Sequence, residues 1–524
     1  MKPIKASRVL ARQLYDSADT LRLNDVVYFP ERWSVPIKDE DWAQVLKLPW
    51  FRERLGRESL RWFGEHPGFV IDTLQSFYEV DIGRYCGREP AWIHDLPKSI
   101  KRYLRVLGDI AAQRAPQDIF QLIPRLPFIG FGLSVEEGGM VEAVYRHWPL
   151  PRLARVRQLG MLSLPVVGPE RPHFYGIGFQ HTRYVHSLIA YAFATLWATT
   201  CGLTEDESTV IRLAALTHDL LTPAGSDTTK QVDPVRFNED VNYFRLFEHP
   251  GWPALADKFQ VNQSLLLETI AGQGPLGKLL DLADKLSYTL VDADSLRRQL
   301  PRGVIDSPEL DLFHRLLESY PFILSWWDRV MMMEGQMVVA SPRRLANFLL
   351  LRALMFKILY LNPAARLVEE VYGLALRFLY ERGEVTTRDL LDGGDEVVKT
   401  KVSALLGESD LLSGDDDMWR PRLQMFETEK EAVDYEQTIH PPWIAIRTVR
   451  RPIKSALDSF PVLYCGRVES LRLVRPAEAT EIERLIAIDR PYCVYSWSIE
   501  EIHRHGSREF ARWLEERRGN AALP

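Results

Sequence analysis

His218 and Asp219 stand side by side near the end of an apolar helical stretch. An imidazole nitrogen and a carboxylate oxygen both ligate first-row divalent metals. Adjacent side chains on a helix diverge, so such a pair can act together only where the helix ends against a pocket. The sequence Thr222-Pro223-Ala224-Gly225-Ser226-Asp227, just after Leu221, is a helix stop that supplies this end. Upstream, the run from His181 to His186 places another imidazole at the start of a helix, on the side of its apolar stripe. A lone histidine there serves equally well as a satisfied core residue. Downstream, Asp281, Asp284, Tyr288 and Asp292 recur at three- and four-residue spacing and share one helix face. That face suits a ligand set or a solvated stripe.

These residues need helices to hold them. Val185, Leu188, Ile189, Ala192, Phe193 and Leu196 repeat with helical spacing behind His186. Thr204 followed by Glu207 predicts a capping box opening the next helix, in which Ile211, Ala214, Ala215 and His218 share a face. Further helices are expected over 276–292 and 345–361. Residues 1–140 read as a tryptophan-rich, mainly helical extension (Trp33, Trp42, Trp50, Trp62) that carries no legible motif. The glycines at 130, 132, 138 and 139 mark a boundary. Residues 364–420 predict more helix, with a charged turn at Asp392-Gly393-Gly394-Asp395 and a solvated acidic loop at 415–417. Beyond 426 the texture changes: Trp443-Ile444-Ala445-Ile446 and Tyr492-Cys493-Val494-Tyr495 read as strands, and 498–518 as a terminal helix. The expected fold is mostly α, divided into 1–140, a catalytic core over 141–380, and a helical and α+β region over 381–524.

Bulk properties narrow the function. A chain of 524 residues is too long for one core. Its composition, 46% hydrophobic and 26% charged, is that of a globular protein. A net charge of -6 gives no strong sign of nucleic-acid binding. The four cysteines form no CxxC pair, which argues against a disulfide framework or a structural zinc. The N-terminal stretch has no continuous apolar segment of the signal-sequence kind and no run of about 18 apolar residues occurs, so a cytoplasmic protein is expected.

Order and wording then add a resemblance. Residues 152–160 (Arg-Leu-Ala-Arg-Val-Arg-Gln-Leu-Gly), 181–188 (His-Thr-Arg-Tyr-Val-His-Ser-Leu), 213–220 (Leu-Ala-Ala-Leu-Thr-His-Asp-Leu), the Asp284-Lys285-Leu286-Ser287-Tyr288 run with Asp292, and Arg352 to Pro363 stand in collinear order over about 146–380. These five segments resemble the deoxynucleoside triphosphate triphosphohydrolases of the HD phosphohydrolase superfamily, the bacterial dGTPase-like enzymes and the vertebrate SAM-and-HD-domain dNTPase. The resemblance implies an HD-type helical bundle in which His186, His218, Asp219 and Asp284 bind a divalent metal (Mn, Mg, Fe, Ni or Co). Two imidazoles and two carboxylates leave coordination positions for water and a phosphate oxygen. It further implies that Arg183, Lys285 and Arg352 contact phosphates, and that Gln158, Leu159, Tyr288, Asp292 and Tyr360 line the sugar. The family is often a homo-oligomer switched on by a nucleotide activator. Depletion of nucleotide pools would be consistent with a role in defence against phage.

The chain also departs from that pattern. The family continues past its HD pair with two histidines, near whose places this sequence has Thr222 and Asp227, and a later His-Glu pair stands here as Asn238-Glu239. Asp227 can replace a histidine as a proton acceptor, Glu239 can orient a group, and Arg183 completes the expected catalytic set. Leu361 stands where a polar side chain often reads a sugar hydroxyl. Two alternatives therefore stand beside a dNTP triphosphohydrolase: an HD phosphohydrolase of another phosphorylated molecule, and a non-catalytic nucleotide-sensing subunit.

Overall fold

The computed structural model describes residues 139–162, 181–299, 307–319, 329–406, 422–440, 443–450, 455–498 and 507–516, with shorter pieces between 21 and 133 and a few isolated positions elsewhere. The helices that matter for the site are α1 (Met140–His147), α2 (Arg183–Thr200), α3 (Glu205–Thr217), α4 (Gln263–Ile270), α5 (Gly274–Gln299), α6 (Pro342–Met355), α7 (Pro363–Glu381) and α8 (Asp395–Leu405). The protein is mostly helical, with a small sheet near its C-terminus.

α2 is apolar on nearly every side, and fifteen of its residues are buried, so it must be enclosed by other helices rather than lie on a surface. α3 and α5 enclose it, and α4 closes the group against α3 and α5. The start of α3 follows the expected capping box: the Thr204 hydroxyl accepts the Glu207 amide while the Glu207 carboxylate accepts the Thr204 amide. α5 runs a turn and more beyond the 276–292 expected from its apolar spacing. α6 ends in a π turn, Phe356–Tyr360, which shifts the register of the residues that follow.

Two large apolar cores and a smaller cluster around Ala432, Ala445 and Val494 form among the described residues. The first gathers α1 to α6 and takes in residues 456–485 from far down the chain, including Leu457, Phe460, Val462, Leu471, Ile482 and Leu485. Val462–Tyr464 adds in parallel to the strand Gln336–Val339, with Val462 opposite Val339. The second core packs α7 and α8 against the strands and final helix of the C-terminal region, through Phe378, Val398, Tyr495 and Phe510, and also buries Met161 and Ala224. The expected strands are present: Tyr492–Ser498 lies between Trp443–Val449 and Arg422–Phe426 in an antiparallel sheet. Ser498 belongs to that central strand, and of the expected terminal helix Arg508–Glu516 is helical, while 499–506 and 517–518 lie outside the described residues.

In the N-terminal region the strands Leu21–Leu23, Val26–Tyr28, Phe131–Leu133 and Arg125–Leu126 pair into an antiparallel sheet beside short helical pieces. Three-residue strands carry too few alternations to register as a pattern, and so Phe131–Leu133 read only as part of a glycine-marked boundary. Trp33, Trp62 and the acidic run at 415–417 lie outside the described residues. No helix among the described residues is long and apolar enough to cross a membrane. Cys201, Cys465 and Cys493 are free thiols.

Candidate functional site

The site forms where the start of α2, the end of α3 and the middle of α5 meet. His186 sits on the first turn of α2, and His218 is the residue on which α3 ends. The Nε2 atoms of the two rings lie 3.1 Å apart. Asp284 of α5 places Oδ1 3.1 Å from the His186 nitrogen and 3.5 Å from that of His218. Asp219 Oδ2 is 3.3 and 3.8 Å from the same two nitrogens. Donors bound about 2.0–2.2 Å from one ion lie roughly 3.0–3.5 Å from one another. The four spacings to His186 and from Asp284 match that range, and Asp219 is slightly wide of it on the His218 side.

The hydrogen bonds behind the rings say which nitrogen is free. His218 Nδ1 is 3.0 Å from the Ala215 carbonyl, which can only accept. His186 Nδ1 is 2.8 Å from the Ser287 hydroxyl, whose own proton goes to the Asp284 carbonyl at 2.8 Å. Both imidazoles therefore carry their proton on Nδ1, and both Nε2 lone pairs face the same point (the tautomers follow from these partners). Two lone pairs and two carboxylates at that spacing call for a positive charge between them, and the residues present fit a divalent metal. The same demand appears in the titration of the cluster. Burial opposes a charge on His218, but Asp219 and Asp284 outweigh it and hold the imidazole up at about 9. Burial likewise opposes ionisation of Asp284, yet the two imidazoles hold its carboxyl well below the usual range. His186 is buried while Asp284 is about a third exposed, with a side-chain exposure of 32%. The cluster thus opens to solvent on the α5 side.

Arg183, one turn before His186, is turned toward this cluster. Its Nη1 donates to both oxygens of Asp219, at 3.0 and 3.2 Å, and its Nε and Nη2 donate to the Ser226 hydroxyl at 3.1 and 2.7 Å. Burial opposes its charge, but Asp219, Asp227 and Glu239 more than restore it, so it is a fixed cation. Asp227 is half exposed and pairs with Lys230 at 2.9 Å and Arg183 at 3.5 Å. Glu239 is buried; Oε1 accepts from Lys230 at 2.8 Å, while Oε2 has no partner among the described residues. Lys230 thus bridges the carboxylates of Asp227 and Glu239.

Other residues singled out in the sequence lie on α5, on α6 with its π turn, and on the segment before α2. Arg352 donates through Nε to the Tyr288 hydroxyl at 2.7 Å and stacks 4.7 Å over the Phe356 ring. The Tyr288 ring lies edge-on to Tyr360 and tilted toward His186. Burial pushes the Tyr288 phenol up to about 12. Asp292 is fully buried, with one oxygen bonded to His181 and the other to the Tyr360 hydroxyl. Its place here is between helices rather than toward solvent. Lys285 pairs with Asp281 one turn back on α5 and lies over the Phe460 ring. Gln158 is buried, with its amide oxygen unpartnered among the described residues, and Leu159 packs against the first core.

Three residues that matter locally were missed in the sequence. Ser287 orients His186, as above. Arg152 is buried and donates to the carbonyls of Leu220 and Thr222 at 2.8 and 2.6 Å, which fixes the turn that follows His218-Asp219. Asp395 accepts the backbone amides of Gly225 and Arg157. A bond to a distant main-chain atom leaves no spacing signal, so only the helix-opening position of Asp395 after two glycines hinted at a role.

No family model matches the chain, and no curated protein matches it by sequence. Solved structures do resemble it in fold. One is a phosphohydrolase from Bacteroides thetaiotaomicron VPI-5482, 18% identical, with a TM-score of 0.50 over 71% of this chain and 98% of that one. Another is a hypothetical protein from Aquifex aeolicus, 17% identical, with a TM-score of 0.48 over 75% of this chain and 100% of that one. At this identity the likeness is one of fold: the helical fold is shared with that phosphohydrolase.

Proposed function

We propose that this chain is a divalent-metal phosphohydrolase that cleaves deoxynucleoside triphosphates to deoxynucleoside and inorganic triphosphate. The observation that carries the reading is the convergence of the His186 and His218 Nε2 atoms with Asp219 and Asp284 from three separate helices. A metal held there would supply Lewis acidity to a phosphate oxygen and lower the pKa of a water. The chain's own residues supply the rest. Arg352 is buried and has no carboxylate partner among the described residues, and Tyr288 occupies only its Nε. Its outer nitrogens suit a phosphate through paired charged bonds. Asp227, half exposed and held between Lys230 and Arg183, would serve as the proton acceptor. The nucleotide preference rests on the resemblance of residues 152–160, 284–292 and 352–360 to the dNTP triphosphohydrolases.

A second reading, hydrolysis of a different phosphorylated molecule by the same site, is favoured by one observation. The residue that would accept a sugar hydroxyl, Asp292, has both oxygens engaged by His181 and Tyr360. The test is incubation with each dNTP and Mn²⁺ or Mg²⁺. Inorganic triphosphate with deoxynucleoside supports the first reading, and phosphate or pyrophosphate the second. No product from any phosphorylated compound, with His218→Ala indistinguishable from the unaltered chain in Mn²⁺ binding, overturns both.

A further inference from the structure

We propose that Asp395 is a positioning residue for the metal centre, its carboxylate clamping the segment that starts α2 to the loop that follows His218-Asp219. The proposal rests on the phosphohydrolase reading above. Asp395 opens α8, is buried, and lies far from the ligands in sequence. Its Oδ1 accepts the Gly225 amide at 2.7 Å and its Oδ2 accepts the Arg157 amide at 2.8 Å.

Each amide belongs to a piece of the site. Around Arg157, the Val156 carbonyl accepts the Arg183 amide at 2.8 Å and the Gln158 amide donates to the His181 carbonyl at 3.0 Å. Together these fix the entry to α2, and with it Arg183 and His186. Gly225 precedes Ser226, which holds a left-handed φ of 49°. That conformation is uncommon for a non-glycine residue and needs its surroundings to enforce it. The Ser226 hydroxyl donates to the Gln158 carbonyl at 3.3 Å and accepts from Arg183, which holds both oxygens of Asp219. A continuous set of bonds thus runs from Asp395 through Gly225, Ser226 and Arg183 to a metal ligand.

The contact has room for no side chain at its edges. A Cβ on Gly394 would come within 2.5 Å of the Arg155 Cβ, and one on Gly160 within 2.5 Å of the Gly225 carbonyl oxygen. The Ala224 amide adds a bond to the Leu390 carbonyl at 2.7 Å. The loop after Asp219 is therefore set from outside the α2–α3–α5 group, by Leu390 and Asp395, which follow α7 in the chain.

The test is Mn²⁺ titration of the full chain after chelator stripping, with circular dichroism to confirm folding. Asp395→Asn keeps the shape but turns an amide N–H₂ toward a backbone N–H. It should weaken Mn²⁺ binding about tenfold to a hundredfold, as loss of an orienting contact does, and lower kcat with little change in KM. Glu396→Gln, next along the helix and paired with Arg155 at 3.3 Å on the exposed side, should leave both unchanged. Ser226→Ala breaks the same set of bonds at another point and should weaken Mn²⁺ binding likewise; it decides the matter if Asp395→Asn does not fold. Folded Asp395→Asn, or failing that folded Ser226→Ala, with unaltered Mn²⁺ affinity overturns the clamp while the metal reading stands. An unaltered chain that takes up no Mn²⁺ overturns the metal reading itself, and the clamp with it.

Discussion

Replacing Ser287 by alanine isolates the orientation of a single ligand. Ser287 is fully buried on α5. Its hydroxyl accepts the Nδ1 proton of His186 and donates to the Asp284 carbonyl. Alanine is the best helix former, so the helix itself should not weaken. What disappears is the acceptor that keeps the His186 proton on Nδ1. A buried N–H left without a partner costs about 1–3 kcal/mol. In the metal-free chain the ring can escape that cost by moving its proton to Nε2, which removes the lone pair from the cluster. Binding a metal then has to reverse the move, so the cost falls on the bound state. A loss of roughly 1.4–2.8 kcal/mol is a tenfold to hundredfold rise in the Mn²⁺ Kd. Calorimetric titration of stripped protein reads this directly, and urea unfolding of the same protein should show stability within about 1 kcal/mol of the original. Mn²⁺ affinity within twofold of the unaltered chain would refute the assignment of the His186 tautomer and the argument built on it.

Three further outcomes follow from the same geometry. Arg352→Gln removes the buried guanidinium held by Tyr288; it should raise the KM for a triphosphate roughly tenfold or more and leave Mn²⁺ affinity alone, and an unchanged KM would remove Arg352 from substrate binding. Mn²⁺ at a hundred times its Kd should stabilise the fold by about 2.7 kcal/mol, reversed by a chelator, and an unmoved unfolding midpoint would mean no ion binds the native state. Burial, opposed by Arg366 and aided by Glu370 and Asp227, pushes the Glu369 carboxyl from its ordinary 4.5 up to about 7. The folded chain then keeps a proton that the unfolded chain releases, so stability should fall as pH rises between those values and level off above them. Glu369→Gln should remove that slope and gain up to roughly 3 kcal/mol at pH 8, and an unchanged slope in urea unfolding would show that Glu369 ionises normally.

That His186, His218, Asp219 and Asp284 would come together, and on which helices, was legible because the signals are local. The capping box at Thr204, the apolar spacing of α2 and the stop after Leu221 each lie within a few residues of a ligand. The supports of this cluster were illegible for the opposite reason. Asp395 reaches Gly225 across 170 residues and Arg157 across 238. Arg152 binds carbonyls, which every residue possesses. Ser287 reads as an ordinary helical serine until a ring 101 residues away is placed against it. Likewise the charged face of α5 could not reveal that Asp281 would be engaged by Lys285, or that Asp292 would point inward to His181 and Tyr360.

The passage of residues 456–485 through the first core bears on how the protein is made. All four proposed ligands precede residue 285, yet α6, which packs on α5, leans on the late helix Pro476–Ile486 and on the strand that joins Val462 to Val339. Contacts this distant in sequence close slowly, since the intervening chain must first be gathered in. During synthesis the earlier helices therefore wait with apolar faces uncovered until residue 485 has emerged from the ribosome. Capture of the ion should be a late event of biogenesis, and a nascent chain halted before that point would be a client for chaperones rather than a working fragment.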